Sequence, residues 1–173
     1  HAGGSIAAGQ TTTDGTIAIG YFAANALTSG AHNTAIGYNA LMVHTTGNSN
    51  TVIGYGAMDD TDAGSTSLGS GDNVFIGEHA GGGTWADAAS NANVGIGNNV
   101  MDAAMNGALN NTAVGHAALG ALTSGDFNSV LGYQAGNDLT TGERNLFLGY
   151  GAGANVTQAT HNTAIGMAAL GDV

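Results

Sequence analysis

The residues best suited to ligand binding lie near the middle of the chain. Trp85 is the only tryptophan, and His79 and Asp87 stand close to it in the sequence. An exposed tryptophan ring is a good platform for a sugar and a frequent hot spot in protein interfaces. We therefore predict that these three residues belong to a loop that binds a glycan or a protein receptor. The alternative is that Trp85 packs over the body of the protein as a local plug.

Acidic residues cluster just before this segment, and hard cations such as calcium prefer several oxygen ligands. Their spacing matches neither the EF-hand loop nor the glycine-rich nonapeptide calcium repeat. Two interpretations stay open, a calcium site or solvated turn acids that keep the protein soluble. The candidate ligands are Asp59, Asp60, Asp62 and Asp72.

Other functional classes are excluded by composition and by missing motifs. Twelve acidic residues face a single arginine, Arg144, and the net charge of −11 argues against nucleic-acid binding. Cysteine is absent, so thiolate chemistry is excluded. Nucleophile-elbow, zinc-protease and phosphate-loop motifs are also missing. We expect no enzyme and no cofactor other than calcium. No apolar run is long enough to predict membrane insertion.

The feature that organises the chain is a repeat, an aliphatic residue followed by glycine. Most copies are 17 residues apart, with longer steps of 23 and 20 in the middle. Regularity of this kind is the signature of a repeat protein. The copies are Ile19-Gly20, Ile36-Gly37, Ile53-Gly54, Ile76-Gly77, Ile96-Gly97, Val114-Gly115, Leu131-Gly132, Leu148-Gly149 and Ile165-Gly166.

Positions around each aliphatic-glycine pair repeat as well. An alanine usually follows three residues after the glycine, and an asparagine stands three residues before the aliphatic residue. Asparagine amides in successive repeats can bond to each other and to turn backbone, which predicts a structural ladder. Its members are Asn33, Asn50, Asn73, Asn93, Asn111, Asn128, Asn145 and Asn162.

These units are too short for helical repeats, and their glycine spacing excludes collagen. They predict an all-β fold, a parallel β-solenoid or β-roll of about nine coils. We expect one repeat domain, residues 1–173, with regular coils at about 16–57 and 92–170 and irregular, loop-bearing coils at about 58–91. We also expect the aliphatic residue of each motif to point inward and the alanine to occupy a tight place.

Such a solenoid has a thin core, because each coil supplies one or two large aliphatic residues. A slender stack of coils buries little apolar surface to offset the loss of backbone entropy on folding. Several chains that share one axis would bury more apolar surface. This argument favours an assembly over a free monomer.

The repeats also resemble a known pattern. Residues 33–41 and 162–170 fit N-T-A-I-G-x-x-A-L, which resembles repeats of phage tail fibres and bacterial surface proteins. The chain is more loosely similar to the head repeats of YadA-type trimeric autotransporter adhesins. The resemblance implies a homotrimeric fibre segment, located on a cell surface, in the extracellular space or on a virion. It further implies a cell-surface glycan or protein receptor as partner.

Two surface columns leave further alternatives open. Tyrosines such as Tyr38 and Tyr55 follow the glycine, and they predict a carbohydrate-binding stripe, a structural stack of like residues in adjacent coils, or an inter-subunit seam. A threonine column at Thr34, Thr51, Thr112 and Thr163 suggests a free-standing solenoid with an ice-binding face as the rival function.

Overall fold

The computed structural model describes residues 15–61 and 69–171. Within these residues nine strands of three residues each form one sheet, and their order in the sheet follows their order in the chain. The strands are β1 Ile17–Ile19, β2 Thr34–Ile36, β3 Thr51–Ile53, β4 Val74–Ile76, β5 Val94–Ile96, β6 Thr112–Val114, β7 Ser129–Leu131, β8 Leu146–Leu148 and β9 Thr163–Ile165.

All neighbouring strands are parallel and pair equivalent positions of the repeat. Ile19 pairs with Ile36, and Ile36 pairs with Ile53, so one sequence period is one turn of the solenoid. The 23-residue step keeps this register, because Ile53 still pairs with Ile76 and the additional residues lie between the strands. The predicted all-β, parallel β-solenoid is confirmed.

The glycine after each strand is required by close approach of the next coil. Gly37 has a φ of 138°, and a Cβ placed on it would lie 2.3 Å from the carbonyl oxygen of Gly54. No side chain fits at that distance, and L-residues rarely adopt this backbone conformation. The glycine therefore ends each strand after three residues and lets the coils stack closely.

Left-handed residues turn the chain at fixed places in each coil. In the second coil they are His32, Asn39 and Leu41, with φ values of 59°, 58° and 56°. Hydrogen bonds between coils continue at these corners, since Asn39 N donates to Tyr21 O at 2.9 Å and Leu41 N donates to Ala57 O at 2.9 Å. Pairing along the stack offsets the local strain of these conformations.

The predicted asparagine ladder is confirmed. Asn33 Oδ1 accepts hydrogen bonds from both the backbone N and the side-chain Nδ2 of Asn50, at 2.9 and 3.0 Å. Asn50 Nδ2 also donates to Ser70 O at 3.1 Å. The same pattern repeats to Asn162, and seven of the eight side chains are buried. The buried amides of the ladder are thus hydrogen-bonded, and this offsets the cost of burying polar groups in a core of low dielectric constant.

The predicted inward orientation of the aliphatic column is wrong. The middle residue of each strand points into the core, as Val52 and Phe147 do with no exposed surface. The aliphatic residue comes directly after it, and side chains alternate between the two faces of a strand. It therefore points outward, so that Ile19 is 58% exposed and Leu131 is 48% exposed. The alanine column, by contrast, is buried as expected, apart from the partly buried Ala169 in the last coil.

Two further inward columns complete the core. One lies four residues after the glycine and holds Leu41 and Leu119, both fully buried. The other lies seven or eight residues after the glycine and is equally buried in most coils. Its members are Leu27, His44, Thr61, Trp85, Met105, Leu122, Leu139 and the partly buried Val156.

The inward columns compensate each other in volume. Where the strand supplies Phe147, the position four residues after the glycine is Gly153, and a Cβ there would lie 2.6 Å from the Phe147 ring. Where the strand supplies Ala113, the corresponding position is Leu119. In these two coils the two positions together hold one large side chain, because protein interiors are close-packed.

Candidate functional site

The most extensive candidate site is the outer surface of the sheet, here called the outer strand face. It consists of the first and third residues of all nine strands, and none of these residues is charged. They are partly or largely exposed, up to 65% at Ile165. Contiguous apolar surface of this kind often marks an interaction site.

Threonines lie on this same face at the first strand position. Thr112 and Thr163 are exposed, and Thr34 and Thr51 are partly exposed. Other strands place Ile17, Val74, Val94, Ser129 or Leu146 there. The column is therefore on the surface, as an ice-binding face requires, but hydroxyl groups do not occupy every coil.

Beside the outer strand face the tyrosines form two ladders. In the first, Tyr38 stacks between Tyr21 and Tyr55 with ring centroids 5.3 Å apart on either side. In the second, Tyr133 stacks between His116 and Tyr150 at 5.2 Å, and its ring is 7° from parallel to that of Tyr150. The predicted structural stack is confirmed.

The stacking limits what these rings can bind. Both faces of Tyr38 are covered by neighbouring tyrosines, and the Tyr55 and His79 rings are nearly perpendicular with centroids 5.4 Å apart. The exposed parts are ring edges and hydroxyl groups. A sugar that packs on an aromatic face has no free face at Tyr38.

The prediction that Trp85 offers an exposed platform is wrong. Its side chain has no exposed surface and packs edge-on against Phe75, with ring centroids 5.9 Å apart. It occupies the same inward column as Leu27 and Leu122, so the plug interpretation is correct. Asp87 is exposed, and His79 is partly buried beside Tyr55. These two cannot share a binding surface with a buried Trp85.

Sequence reasoning missed a cluster that joins three successive coils. Asp59 and Asp102 both follow a strand-ending glycine by five residues, and Gly82 holds the equivalent position between them. A Cβ on Gly82 would lie 3.0 Å from Asp102 Oδ1 and 3.2 Å from Asp59 Oδ1. Burial raises the pKa of both carboxyls, while the nearby His79 opposes that rise. The sequence signal for this cluster is that Asp59, Gly82 and Asp102 all stand five residues after a strand-ending glycine.

The four candidate calcium ligands have different surroundings. Asp59 joins the cluster with His79, whereas Asp60 accepts a hydrogen bond from Thr84 Oγ1. Asp72 is exposed, and Asp62 lies outside the described residues. Among residues 15–61 and 69–171 no group of three or more acidic or histidine side chains is placed to hold a metal ion. Calcium binding stays a prediction.

A second polar feature missed from the sequence is in the core itself. His44 takes the place that leucine holds in the preceding coil, with Nδ1 3.0 Å from Thr61 Oγ1 and Nε2 3.5 Å from Asn50 Nδ2. Desolvation by burial lowers the pKa of His44 to about 4, against the opposing effect of a hydrogen bond that the ring donates to the Ser70 backbone. This histidine is therefore neutral at physiological pH.

Comparison with known proteins identifies no relative. No family model, curated protein or solved structure matches the chain. Within the part of the chain that the structure describes, no helix is long and apolar enough to cross a membrane.

Proposed function

We propose that this chain is a structural, non-enzymatic segment of an extracellular or virion-surface fibre, and that it functions as a homotrimer. The observation that carries the proposal is the outer strand face, an uncharged and largely aliphatic surface along the whole sheet. At about 4.8 Å per strand this face is roughly 40 Å long but only about 10 Å wide. A long, narrow apolar stripe suits chains packed around a common axis.

Energetics support the same assembly. The thin core makes any further burial of aliphatic surface valuable, at about 25 cal/mol for each Å² removed from water. Burial of the outer strand face against two copies would remove side chains such as Ile19, Ile96 and Leu148 from water without burying a charge. The net charge of −11 would then make separate rods repel each other in solution.

Attachment to a cell-surface glycan or protein receptor would fall to the irregular coils, about residues 58–91. The exposed Asp87 lies in this segment, and the partly buried cluster of His79, Asp59 and Asp102 joins it to the following coil. Three copies on one rod would raise avidity through effective concentration.

Native mass measured by light scattering at several concentrations tests the proposal. We expect three times 16.8 kDa at every concentration. The matched variant is Ile53→Asp, because a threefold axis would bring three copies of the new carboxylate together and repel them. That variant should retain β-type circular dichroism and show the mass of one chain. A wild-type mass of one chain, or open-ended growth with concentration, would contradict the trimer.

The ice-binding alternative is favoured by one observation, the outward position of Thr34, Thr51, Thr112 and Thr163. It requires that the outer strand face be free, and hence a monomer. Thermal hysteresis of a monomeric wild-type protein would support this alternative. The test variant is Thr112→Val, which should then reduce the hysteresis.

A further inference from the structure

The tyrosine ladders bring oxidisable side chains into contact at a surface. Tyr133 and Tyr150 have ring centroids 5.2 Å apart and planes within 7° of parallel, and they are 44% and 59% exposed. Tyr21, Tyr38 and Tyr55 repeat the arrangement in the first coils. Stacking covers ring faces but leaves the edges, with their hydroxyl groups and ortho carbons, open to solvent.

We propose that the tyrosine ladders are sites of intrachain dityrosine formation, a modification that links successive coils by a covalent bond. This inference does not depend on the oligomeric state. Cysteine is absent from the chain, so a disulfide cannot supply such a link. The oxidant is hydrogen peroxide acting through a haem peroxidase, the class of enzyme that removes single electrons from phenols.

The chemistry balances as a two-electron oxidation. Each phenol loses one electron and its hydroxyl proton, which leaves a phenoxyl radical on each ring. The two radicals form one carbon–carbon bond between ortho carbons, and each ring becomes aromatic again when its ortho hydrogen moves to the oxygen. Hydrogen peroxide takes the two electrons and the two released protons and becomes two molecules of water.

The fold favours coupling between neighbours within one ladder. The parallel register holds Tyr133 and Tyr150 one coil apart, because the strands that precede them, β7 and β8, are paired residue by residue. A radical on one ring therefore has its partner at contact distance, and coupling becomes effectively unimolecular. Coupling between chains that are not held in one assembly requires a diffusional encounter.

The position of the single arginine provides a sharp test. Trypsin cleaves the unmodified chain after Arg144, and it separates residues 1–144, which contain Tyr133, from residues 145–173, which contain Tyr150 as their only tyrosine. The experiment treats the folded protein with a haem peroxidase and hydrogen peroxide, denatures it, digests it with trypsin and separates the products on a denaturing gel. We expect a cross-linked product with the mass of one intact chain and blue dityrosine fluorescence.

Variants identify the pair. Tyr133→Phe and Tyr150→Phe should each remove the cross-linked band that keeps the mass of one chain after trypsin digestion. Tyr38→Phe, which alters the first ladder, should keep that band. Phenylalanine preserves the stacked ring, and circular dichroism verifies the fold of each variant. Complete separation into the two fragments in the oxidised wild type would overturn the proposal for this pair. The same sample run without trypsin should stay at the mass of one chain, and cross-linked products that appear there only at twice the chain mass would overturn the intrachain character.

Discussion

At the scale of single residues, the thin core depends on asparagine amides that are hydrogen-bonded from coil to coil, whereas Trp85 Nε1 is buried without a hydrogen-bond partner in the described residues. The asparagine ladder places buried amides in every coil from Asn33 to Asn145, and each uses its oxygen as acceptor for the next coil. His44 is the titratable member of this buried polar set, and it lies against Asn50 and Thr61. Its protonation would place a charge where the core offers no acidic partner among the described neighbours.

His44 predicts a loss of stability in acid. Its pKa is about 4 in the folded chain and returns to the ordinary histidine value of 6.5 on unfolding, so the unfolded chain binds more protons between these values. Stability is therefore fully present above about pH 6.5 and falls as the pH is lowered towards 4, by about 3 kcal/mol in total. Urea unfolding at a series of pH values measures this slope.

The control for that prediction is His44→Leu, which restores the residue type of Leu27 in the same column. The difference between the two pH profiles isolates His44 from Asp59 and Asp102, whose raised pKa values add stability in acid. Parallel profiles for wild type and variant would show that His44 does not control the acid response.

A second prediction concerns volume compensation in one coil. Phe147→Ala should destabilise the protein by about 3–5 kcal/mol, since it leaves a cavity, and Gly153→Leu should destabilise it through overpacking against the ring. The double variant should recover a large part of this loss, because it reproduces the combination of Ala113 and Leu119. The backbone at Gly153, with a φ of 65°, is close to that of Leu119 at 51°.

Denaturant unfolding of the four proteins in this cycle gives the coupling energy. Strictly additive effects of the two substitutions would contradict the compensation. Gly151→Ala, whose Cβ would meet no atom within 4 Å, serves as a control for the effect of a side chain at a positive φ alone.

At the scale of elements, a three-residue strand separates core and surface by a single position. Val52 is fully buried, and Ile53 is partly exposed on the outer strand face. The strand cannot shift by one residue, because the glycine after it must meet the glycine of the next coil. Register and orientation are thus determined together.

Adjacent substitutions in β3 test this orientation. Val52→Asp should abolish the cooperative fold, since it buries an unpaired charge in the core. Ile53→Asp should leave β-type circular dichroism and a cooperative thermal transition in place. Loss of the fold in the Ile53 variant alone would reverse the assignment of the two faces.

At the scale of the whole molecule, the solenoid separates its surface by chemistry. The sheet side is uncharged, the tyrosine ladders border it, and the acidic residues among 15–61 and 69–171 lie outside the strands. This asymmetry explains how a chain with a net charge of −11 could still associate with copies of itself. Both rival proposals, trimer contact and ice binding, concern this same face.

The repeat, the fold class and the asparagine ladder are all predictable from the amino-acid sequence. They follow from local rules, because a glycine that stacks against glycine and an amide that bonds to its own copy must recur at one fixed period. The tyrosine stack follows from the same rule. Position within the repeat therefore predicts which residues are neighbours along the stack.

Which side of each strand is inside emerges only from packing in three dimensions. In the pattern Thr-Ala-Ile a small residue lies between two larger ones. A rule that places the most apolar side chain inside therefore predicts the wrong orientation for Ile36. The core accepts Ala35 there because Leu41, further along the same coil, fills the space. The burial of Trp85 is hidden from the sequence for the same reason. An inserted segment brings it into an inward column that leucine occupies in other coils. Packing across a coil depends on volume, which linear spacing does not encode.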